Sequence, residues 1–399
     1  MRTIEELLTI VEAGDRVFLR GDLNVPLEDG KITDFNRVSA LLPTLESLLS
    51  SGCVVTVATH LGRPSGVDPN LSTEPLYRYF AANLSYPVAL IEEFPPGPIY
   101  QHQVSEQSPG SLLILENLRF SPGEKSNDLE FAKKLASGNQ FYVNDAFGCC
   151  HRAHASVDAI TTLLPSFVGH LIQKELAVLS QIKDHPKRPF WVISGGAKVS
   201  DKLGVLNTLS TKLDGVICTG GLANTLLHGQ GVDVGSSKIE PESLNEVHQL
   251  ISGNVEMVLP VDFIAGDQPI EPTETINIRR GDSVPDDFSL FDVGPESISE
   301  IQKKLSAAET VFWNGPAGVF ETPEFSSGTR ELAKFLAKIP GKVVVGGGDS
   351  AAAVRQLGLA NYFHHVSTGG GAALEFLEGK SLPGLVALSD SVQKDSGPR

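Results

Sequence analysis

The sequence predicts an α/β protein of two domains, each a mainly parallel sheet covered by helices. Short β-branched or aliphatic runs recur along the whole chain, most are followed by a Gly-rich or polar turn, and a helical pattern follows the turn. The length of 399 residues, at ~150 per domain, leaves room for more than one core.

The opening segment, MRTIEELLTIVEAGD, lacks the basic, apolar and small-residue sections of a secretion leader. It reads as a helix in which Thr3 is the N-cap and Glu6 closes a capping box. Strands are then expected at Arg16 to Arg20, Val54 to Ala58, Val88 to Ile91, Leu112 to Leu115 and Phe141 to Val143. Leu171 to Ile182 is apolar at helical spacing between Gly169 and the prolines Pro186 and Pro189, and reads as a helix connecting the domains. The second half repeats the theme at Phe190 to Ile193, Gly215 to Cys218, Met257 to Pro260, Val311 to Trp313, Lys342 to Val345 and Phe363 to Val366. From Pro383 the pattern weakens into a tail whose last residues look solvated.

Composition narrows the function. Charged residues at 20% and hydrophobic residues at 41% fit neither a disordered chain nor a membrane protein, and no stretch approaches ~18 consecutive apolar residues. A net charge of −16 has the wrong sign for wrapping nucleic acid or lying on anionic lipid, so any anionic ligand needs a local basic cluster. The cysteines, Cys53, Cys149, Cys150 and Cys218, show no C-x-x-C spacing, which points to a reducing, cytoplasmic setting. Adjacent Cys149 and Cys150 read as incidental thiols in a loop rather than a redox device.

Ligands of open parallel sheets bind beyond the carboxyl ends of the strands, so the residues there carry the functional information. In the first half those residues are Asp22-Leu23-Asn24, His60-Leu61-Gly62-Arg63, Glu116 to Arg119, and Asn144-Asp145 leading to His151-Arg152-Ala153-His154. Up to His170 there are eight Arg and four Lys, whereas from Leu171 on there are six Arg and fourteen Lys. Arginine's planar fork grips carboxylate or phosphate bidentately, so the first domain looks built for a small polyanion. The second half instead ends its strands in glycine: Ser194 to Lys202 with two glycines and two lysines, Thr219-Gly220-Gly221, Asp292 to Pro295, Trp313 to Pro316, Gly346 to Ser350 and Ser367 to Gly371. If a helix has begun by Lys198, its ammonium and that of Lys202 share one face. Such an edge suggests phosphate and nucleotide. Two common nucleotide loops are absent: Gly379-Lys380-Ser381 has Leu374 where a Walker A loop needs its first glycine, and Gly229-x-Gly231 is followed by Val234 rather than the third glycine of a dinucleotide fingerprint. Structural-zinc spacing and a G-x-S-x-G elbow are also missing.

The segments RGDLNVP, ITDFNRV, HLGRP, LENLRFSPGE, VNDAFGCCHRAHAS, SGGAKVSDKL, WNGPAGVFE, GGGDSAAA and HVSTGGGAALEFLEGK, in this order along nearly the whole chain, resemble the phosphoglycerate kinase family. The resemblance implies two Rossmann-like lobes with a cleft between them: residues 1–170 for phosphoglycerate, with the tail 386–399 packing back on them, a connecting helix at 171–187, and residues 188–385 for the nucleotide. It implies reversible phosphoryl transfer from 1,3-bisphosphoglycerate to ADP, with Mg2+ accompanying ADP or ATP, in a cytoplasmic monomer. Carried over by position, Asp22, Leu23, Asn24, Arg37, His60, Leu61, Gly62, Arg63, Arg119 and Arg152 would hold the phosphoglycerate. Lys198, Lys202, Gly294, Asn314, Glu321, Gly347, Gly348, Asp349 and Ser350 would surround the nucleotide, with Asp349 serving the metal and Arg37, Lys198 and Lys202 acting in catalysis. The sequence departs from the usual pattern at Cys149-Cys150, Ala317 and Ser350, none of them a charged motif position.

The residues agree with that chemistry. A carboxylate acceptor is already ionised near neutral pH, so no general base is needed, and no nucleophile or base dyad stands out. The competing readings are a two-lobed binding protein that captures a phosphorylated solute without chemistry, a nicotinamide dehydrogenase, and a catalytically idle homologue. The missing fingerprint disfavours the second, and the intact charged positions the third.

Overall fold

The computed structural model describes residues 1–246 and 255–395. The chain forms two compact units, one of Met1–Ala177 with the chain from Ser381 on, the other of Val178–Lys380. Each is built on a six-stranded parallel sheet covered by helices.

In the first unit the strands are β1 (Arg16–Gly21), the hairpin β2 (Leu27–Glu28) and β3 (Lys31–Ile32), β4 (Val54–Ala58), β5 (Val88–Ile91), β6 (Leu112–Leu115), β7 (Phe141–Asp145) and β8 (Ser166–Val168). The sheet order is β5-β6-β4-β1-β7-β8. The runs RVFLRG and VVTVA stay buried almost throughout because helices cover both faces, which is why they read as continuous apolar stretches. β1 pairs with β4 on one side and β7 on the other, so the strand order switches direction at β1. A ligand is expected at that point, beyond the strand ends. Leu19, Leu45, Val57 and Ile114 form part of the core beneath it. The first helix, Ile4–Leu8, carries both halves of the Thr3 and Glu6 capping box.

The second unit contains β9 (Phe190–Ser194), β10 (Gly215–Cys218), β11 (Glu256–Val258), β12 (Asp262–Gly266), β13 (Thr275–Arg279), β14 (Ser289–Val293), β15 (Thr310–Asn314), β16 (Lys342–Gly346) and β17 (His365–Val366). Its parallel sheet runs β11-β10-β9-β15-β16-β17, with the switch at β9. A smaller antiparallel sheet, β13-β12-β14, has its own core of Leu227, Phe263, Ala265 and Leu290. Trp313 is fully buried in the main core, and its indole N–H donates to the Gly315 carbonyl at 2.8 Å, tying that core to the loop after β15.

The structure differs from the sequence expectations at several points. β8 and the antiparallel sheet were not expected: β8 is three residues long, and β13 alternates exposed positions with half-buried Ile276 and buried Ile278, with no motif beside it. The segment after Pro383 is a helix, Pro383–Asp395, with Leu385 and Leu388 buried, and the Gly384 N–H donates to the Cys150 carbonyl at 2.9 Å. Residues 396–399 of the expected tail lie outside the described residues. In the second unit a helix begins only at Ser200, so Lys198 precedes it and shares no helical face with Lys202.

The helix His170–Asp184 contains the division between the units. Its start is held by Asp145 at the end of β7, whose Oδ1 accepts from the N–H groups of Leu171 at 2.8 Å and Ile172 at 3.2 Å. Gly169 makes room for this: a Cβ there would stand 2.4 Å from the Asp145 carboxyl carbon. Burial pushes the Asp145 carboxyl up to about 7, against the opposing pull of Thr44 and the two backbone donors. Between the unfolded value of ~4 and about 7 the folded chain keeps a proton that the unfolded chain releases, so this group's share of stability falls as pH rises through that window. Asp145→Asn, neutral throughout, is therefore expected to gain in thermal midpoint relative to the unsubstituted chain as pH rises from ~4 to ~7 and to level off above. A constant difference across that range contradicts the assignment.

Candidate functional site

In the first unit the functional cluster starts from Arg20, which ends β1 fully buried. Its Nε donates to Ser156 Oγ at 2.9 Å, its Nη1 to the Gly21 carbonyl, and its Nη2 lies 3.0 Å from His60 Nδ1 and 3.4 Å from Cys149 Sγ. Ser156 Oγ donates in turn to Glu124 Oε1 at 2.6 Å, and the Ser156 N–H donates to Oε2 of the same carboxylate at 3.0 Å. One buried hydroxyl thus links a buried cation to a buried anion.

Around this base the structure gathers Asp22, Arg37, His60 and Arg119. Asp22 is buried and forms an ion pair with half-buried Arg37, which raises the guanidinium's already high pKa. Asn24 Oδ1 accepts from the Gly62 N–H at 2.8 Å, and Arg119 Nη1 donates to the Gly62 carbonyl. Leu23 and Leu61 are wholly buried and support the loops from beneath: the Leu23 N–H donates to Thr59 Oγ1, and the Leu61 carbonyl accepts from Asn117 Nδ2. Arg63 and Arg152 are exposed, and Arg152 Nε donates to His151 Nε2 at 3.0 Å. Sequence reasoning does not single out Arg20, Glu124 or Ser156 as site residues: Arg20 lies within a largely apolar strand, and the other two stand well beyond the strand ends.

The electrostatics are those of an anion site. Burial, reinforced by Arg20, Arg119 and Arg37, holds the His60 imidazolium well below its ordinary pKa, so the ring is neutral near pH 7. His154 is pushed down to about 4 by burial and by Arg20, Arg119 and Arg152. Arg20 and Arg37 each have a carboxylate among their neighbours, and their pKa values are raised despite burial. Arg119 differs: burial, with Arg20 and Arg152, lowers its pKa, and its Nε is buried without a hydrogen-bond partner. Donor atoms of Asp22, His60 and Cys149 lie within 4.8 Å of one another, a possible metal set by residue type. Arg20 beside both His60 and Cys149, and Arg37 on Asp22, make the place electrostatically wrong for a cation. Cys149 and Cys150 are free and buried, and burial pushes the Cys149 thiol up to about 11.

In the second unit the strand ends converge through glycines. A Cβ on Gly195 would fall 2.1 Å from the Pro316 carbonyl oxygen, so the loops after β9 and β15 can touch only if that residue lacks a side chain. The Gly195 N–H donates to the Asn314 carbonyl at 2.9 Å, the Gly221 N–H to the Gly196 carbonyl at 2.8 Å, and the Gly315 N–H to Ser350 Oγ at 2.5 Å. Gly347, at φ +80°, caps the helix Gly348–Gln356, whose first turn carries the exposed carboxylate of Asp349. Lys202 is half-buried, and burial lowers its pKa against the pull of Asp201 and Asp349.

These loops enclose one side of a cavity of about 430 Å³. Gly196, Ala197, Gly220 and Gly221 form a backbone edge, Leu290, Phe291 and Val319 an apolar wall, and Glu321 and Asp349 are also in the lining. Asn314 is buried with Oδ1 against Gly347, and Ser350 is buried, locking the neighbouring loop. Gly294 is buried as the N-cap residue of the helix Pro295–Leu305 and stands outside the lining; its missing side chain makes room for the Asp262 carboxylate that caps this helix through Glu296 and Ser297. Behind the wall, Asp292 caps the helix Ser327–Leu336 by accepting from the Gly328 N–H at 2.7 Å, and burial pushes its carboxyl up to about 7. Leu290, Phe291 and Lys238 are lining residues that no motif announced.

The sequence model of the family described as phosphoglycerate kinase matches residues 8–380. The phosphoglycerate kinase of Streptomyces coelicolor is 45% identical over 408 residues, covering 98% of this chain and 100% of that protein. The cytosolic phosphoglycerate kinase of Triticum aestivum is 44% identical over 403 residues, with coverage of 98% and 100%. The solved structure of phosphoglycerate kinase from Coxiella burnetii matches with a TM-score of 0.82 at 36% identity, covering 96% of this chain and 98% of that one.

The Ser156 bridge gives a direct test of the cluster's construction. Ser156→Ala leaves Arg20 Nε and one Glu124 oxygen buried without that partner and is expected to lower unfolding free energy by about 1–3 kcal/mol. Denaturant titration measures it, and a loss below about 0.5 kcal/mol contradicts the bridge.

Proposed function

The chain belongs to the phosphoglycerate kinase family and transfers a phosphoryl group reversibly between 1,3-bisphosphoglycerate and ADP, giving 3-phosphoglycerate and ATP, and we propose how its residues divide that task. The phosphoglycerate belongs to the first unit. The observation that carries this is Arg119, a half-buried guanidinium with a lowered pKa and an unpartnered Nε beside two other guanidinium groups. An anionic ligand supplies the charge this group lacks. Asp22 and Asn24 serve the ligand's hydroxyl, while Arg37, neutral His60, Arg63, Arg119 and Arg152 take its carboxylate and phosphate, and Leu23, Leu61 and Gly62 act by holding the loops that carry these groups.

The nucleotide belongs to the cavity of the second unit, with its phosphates toward Lys198, Lys202 and the helix N-terminus at Gly347, Gly348, Asp349 and Ser350. Glu321 is placed to accept from the ribose, Asn314 to hold the Gly347 turn, and Gly294 acts through the packing of its helix. Asp349 fits magnesium, since it offers an exposed, hard carboxylate oxygen and nucleotide phosphates supply others. When bound, the ion neutralises charge on the nucleotide phosphates.

Chemistry then needs alignment and charge stabilisation rather than proton abstraction. In the direction of ATP use, the 3-phosphoglycerate carboxylate attacks already ionised, and Arg37, Lys198 and Lys202 stabilise charge spreading over the transferred phosphoryl oxygens. Direct transfer requires both bound substrates to be brought together away from water, and we assign the bending to Gly169 and the helix His170–Asp184. The reading assigns every role to residues of one chain, and a monomer is the expected active form. No helix among the described residues is long and apolar enough to cross a membrane, and the unbridged, buried cysteines support a reducing cytoplasm.

In an assay of ATP formed from 1,3-bisphosphoglycerate and ADP, Lys202→Ala and Arg37→Ala are each expected to lower kcat by ~10³-fold or more. Near-normal kcat with a raised KM in both variants would remove them from catalysis. Asp349→Asn is expected to weaken magnesium ADP by at least ~10-fold in calorimetry and leave 3-phosphoglycerate affinity unchanged. Equal loss for both ligands contradicts the division of substrates.

A further inference from the structure

Among the described residues that line the cavity of the second unit, Lys238 is the only cation. It lies outside every glycine-rich strand end. The chain around it is fixed by β14: the Ser236 N–H donates to the Phe288 carbonyl at 2.8 Å, Gly235 bridges to Ser289, and the Leu290 N–H donates to Ser237 Oγ at 2.8 Å. On the other side, the Glu240 N–H donates to Thr225 Oγ1 at 3.0 Å. Lys238 is therefore delivered to the apolar wall of Leu290 and Phe291, whereas Asp349 and the helix N-terminus stand at the end suited to phosphates.

An apolar wall of this kind suits the face of a base, and an exposed lysine beside it can lay its methylene stem along the wall and keep its ammonium at the rim. The edge of a base tells nucleotides apart. Guanine presents O6 and N7, both acceptors, whereas adenine presents an N6 donor beside N7. An ammonium has three donors and no acceptor, so it gains a pair of partners from guanine and meets a donor on adenine.

We infer that Lys238 is a specificity-determining residue that donates to the 6-oxo edge of a purine and so raises the affinity for guanosine diphosphate relative to adenosine diphosphate. The inference rests on the cavity being the nucleotide site. Lys238→Met keeps an apolar stem and removes the donor. Dissociation constants for magnesium GDP and magnesium ADP are to be measured by calorimetry on the full chain, with Val319→Trp, which fills the cavity from its apolar wall, as the second variant.

The expected result is that Lys238→Met weakens GDP by about fivefold relative to ADP, the size of one partly exposed charge-assisted hydrogen bond. If the ratio of the two constants moves by less than about twofold, whether because neither nucleotide responds or because both weaken together through their phosphates, the inference is overturned. Val319→Trp separates that failure from a wrong cavity. Weakening of both nucleotides keeps the cavity as their site, and unchanged affinity for both removes the cavity reading and the role of Lys238 with it.

Discussion

A guanidinium buried at the end of a strand must have its charge and its donors met inside the protein, and Arg20 is the group on which the first unit's site depends. Its partners reach across the fold: Ser156 and through it Glu124, His60 after β4, and Cys149 in the turn after β7. Meeting Arg20's requirements therefore fixes the relative placement of three separate loops. The same positive charge reinforces the burial that keeps His60 neutral and adds to the shortage of negative charge around Arg119. What binds there is selected by that shortage, in a protein whose overall charge would repel anions.

The second unit solves a different problem. The loops after β9, β10 and β15 are drawn together until only glycine fits between them, which brings backbone to the edge where the proposed nucleotide's phosphates would lie. The close approach is held from below by Trp313, whose indole reaches from the core to the Gly315 carbonyl, and from the side by Ser350. Two buried carboxylates, Asp262 and Asp292, cap the helices behind the cavity wall. They cannot be reached by a ligand, yet they set where Gly294, Leu290 and Phe291 stand.

Much of this was legible in the residues. Parallel strands buried on both faces, such as VVTVA and KVVVG, read as unbroken apolar runs, and the polar residues at their ends mark the two sites. Asp22, His60 and Arg119 were visible as strand-end groups and Arg37 through the family resemblance, but Arg20 was hidden within a largely apolar strand. β8 was too short to read, and β13, whose inward face is only Ile276 and Ile278, had no motif beside it to announce it. The terminal helix was missed because a spacing of apolar residues as sparse as Leu385 and Leu388 becomes informative only when the partner surface around Cys150 and Val157 is known. Lys238 was invisible for a related reason: its neighbours along the chain are unremarkable, and its place in the cavity comes from pairing with β14, about fifty residues away.

The account holds that transfer proceeds through aligned, charge-stabilised groups with no proton in flight, since the acceptor is a carboxylate and His60 is neutral and occupied. The most direct test is the single-turnover rate of phosphoryl transfer, followed by rapid quench in H2O and in D2O from pH 6 to 8.5. A rate flat in pH with a solvent isotope effect near unity is the predicted result. An inflection in that range together with an isotope effect of about two or more would show a general base at work and contradict the account.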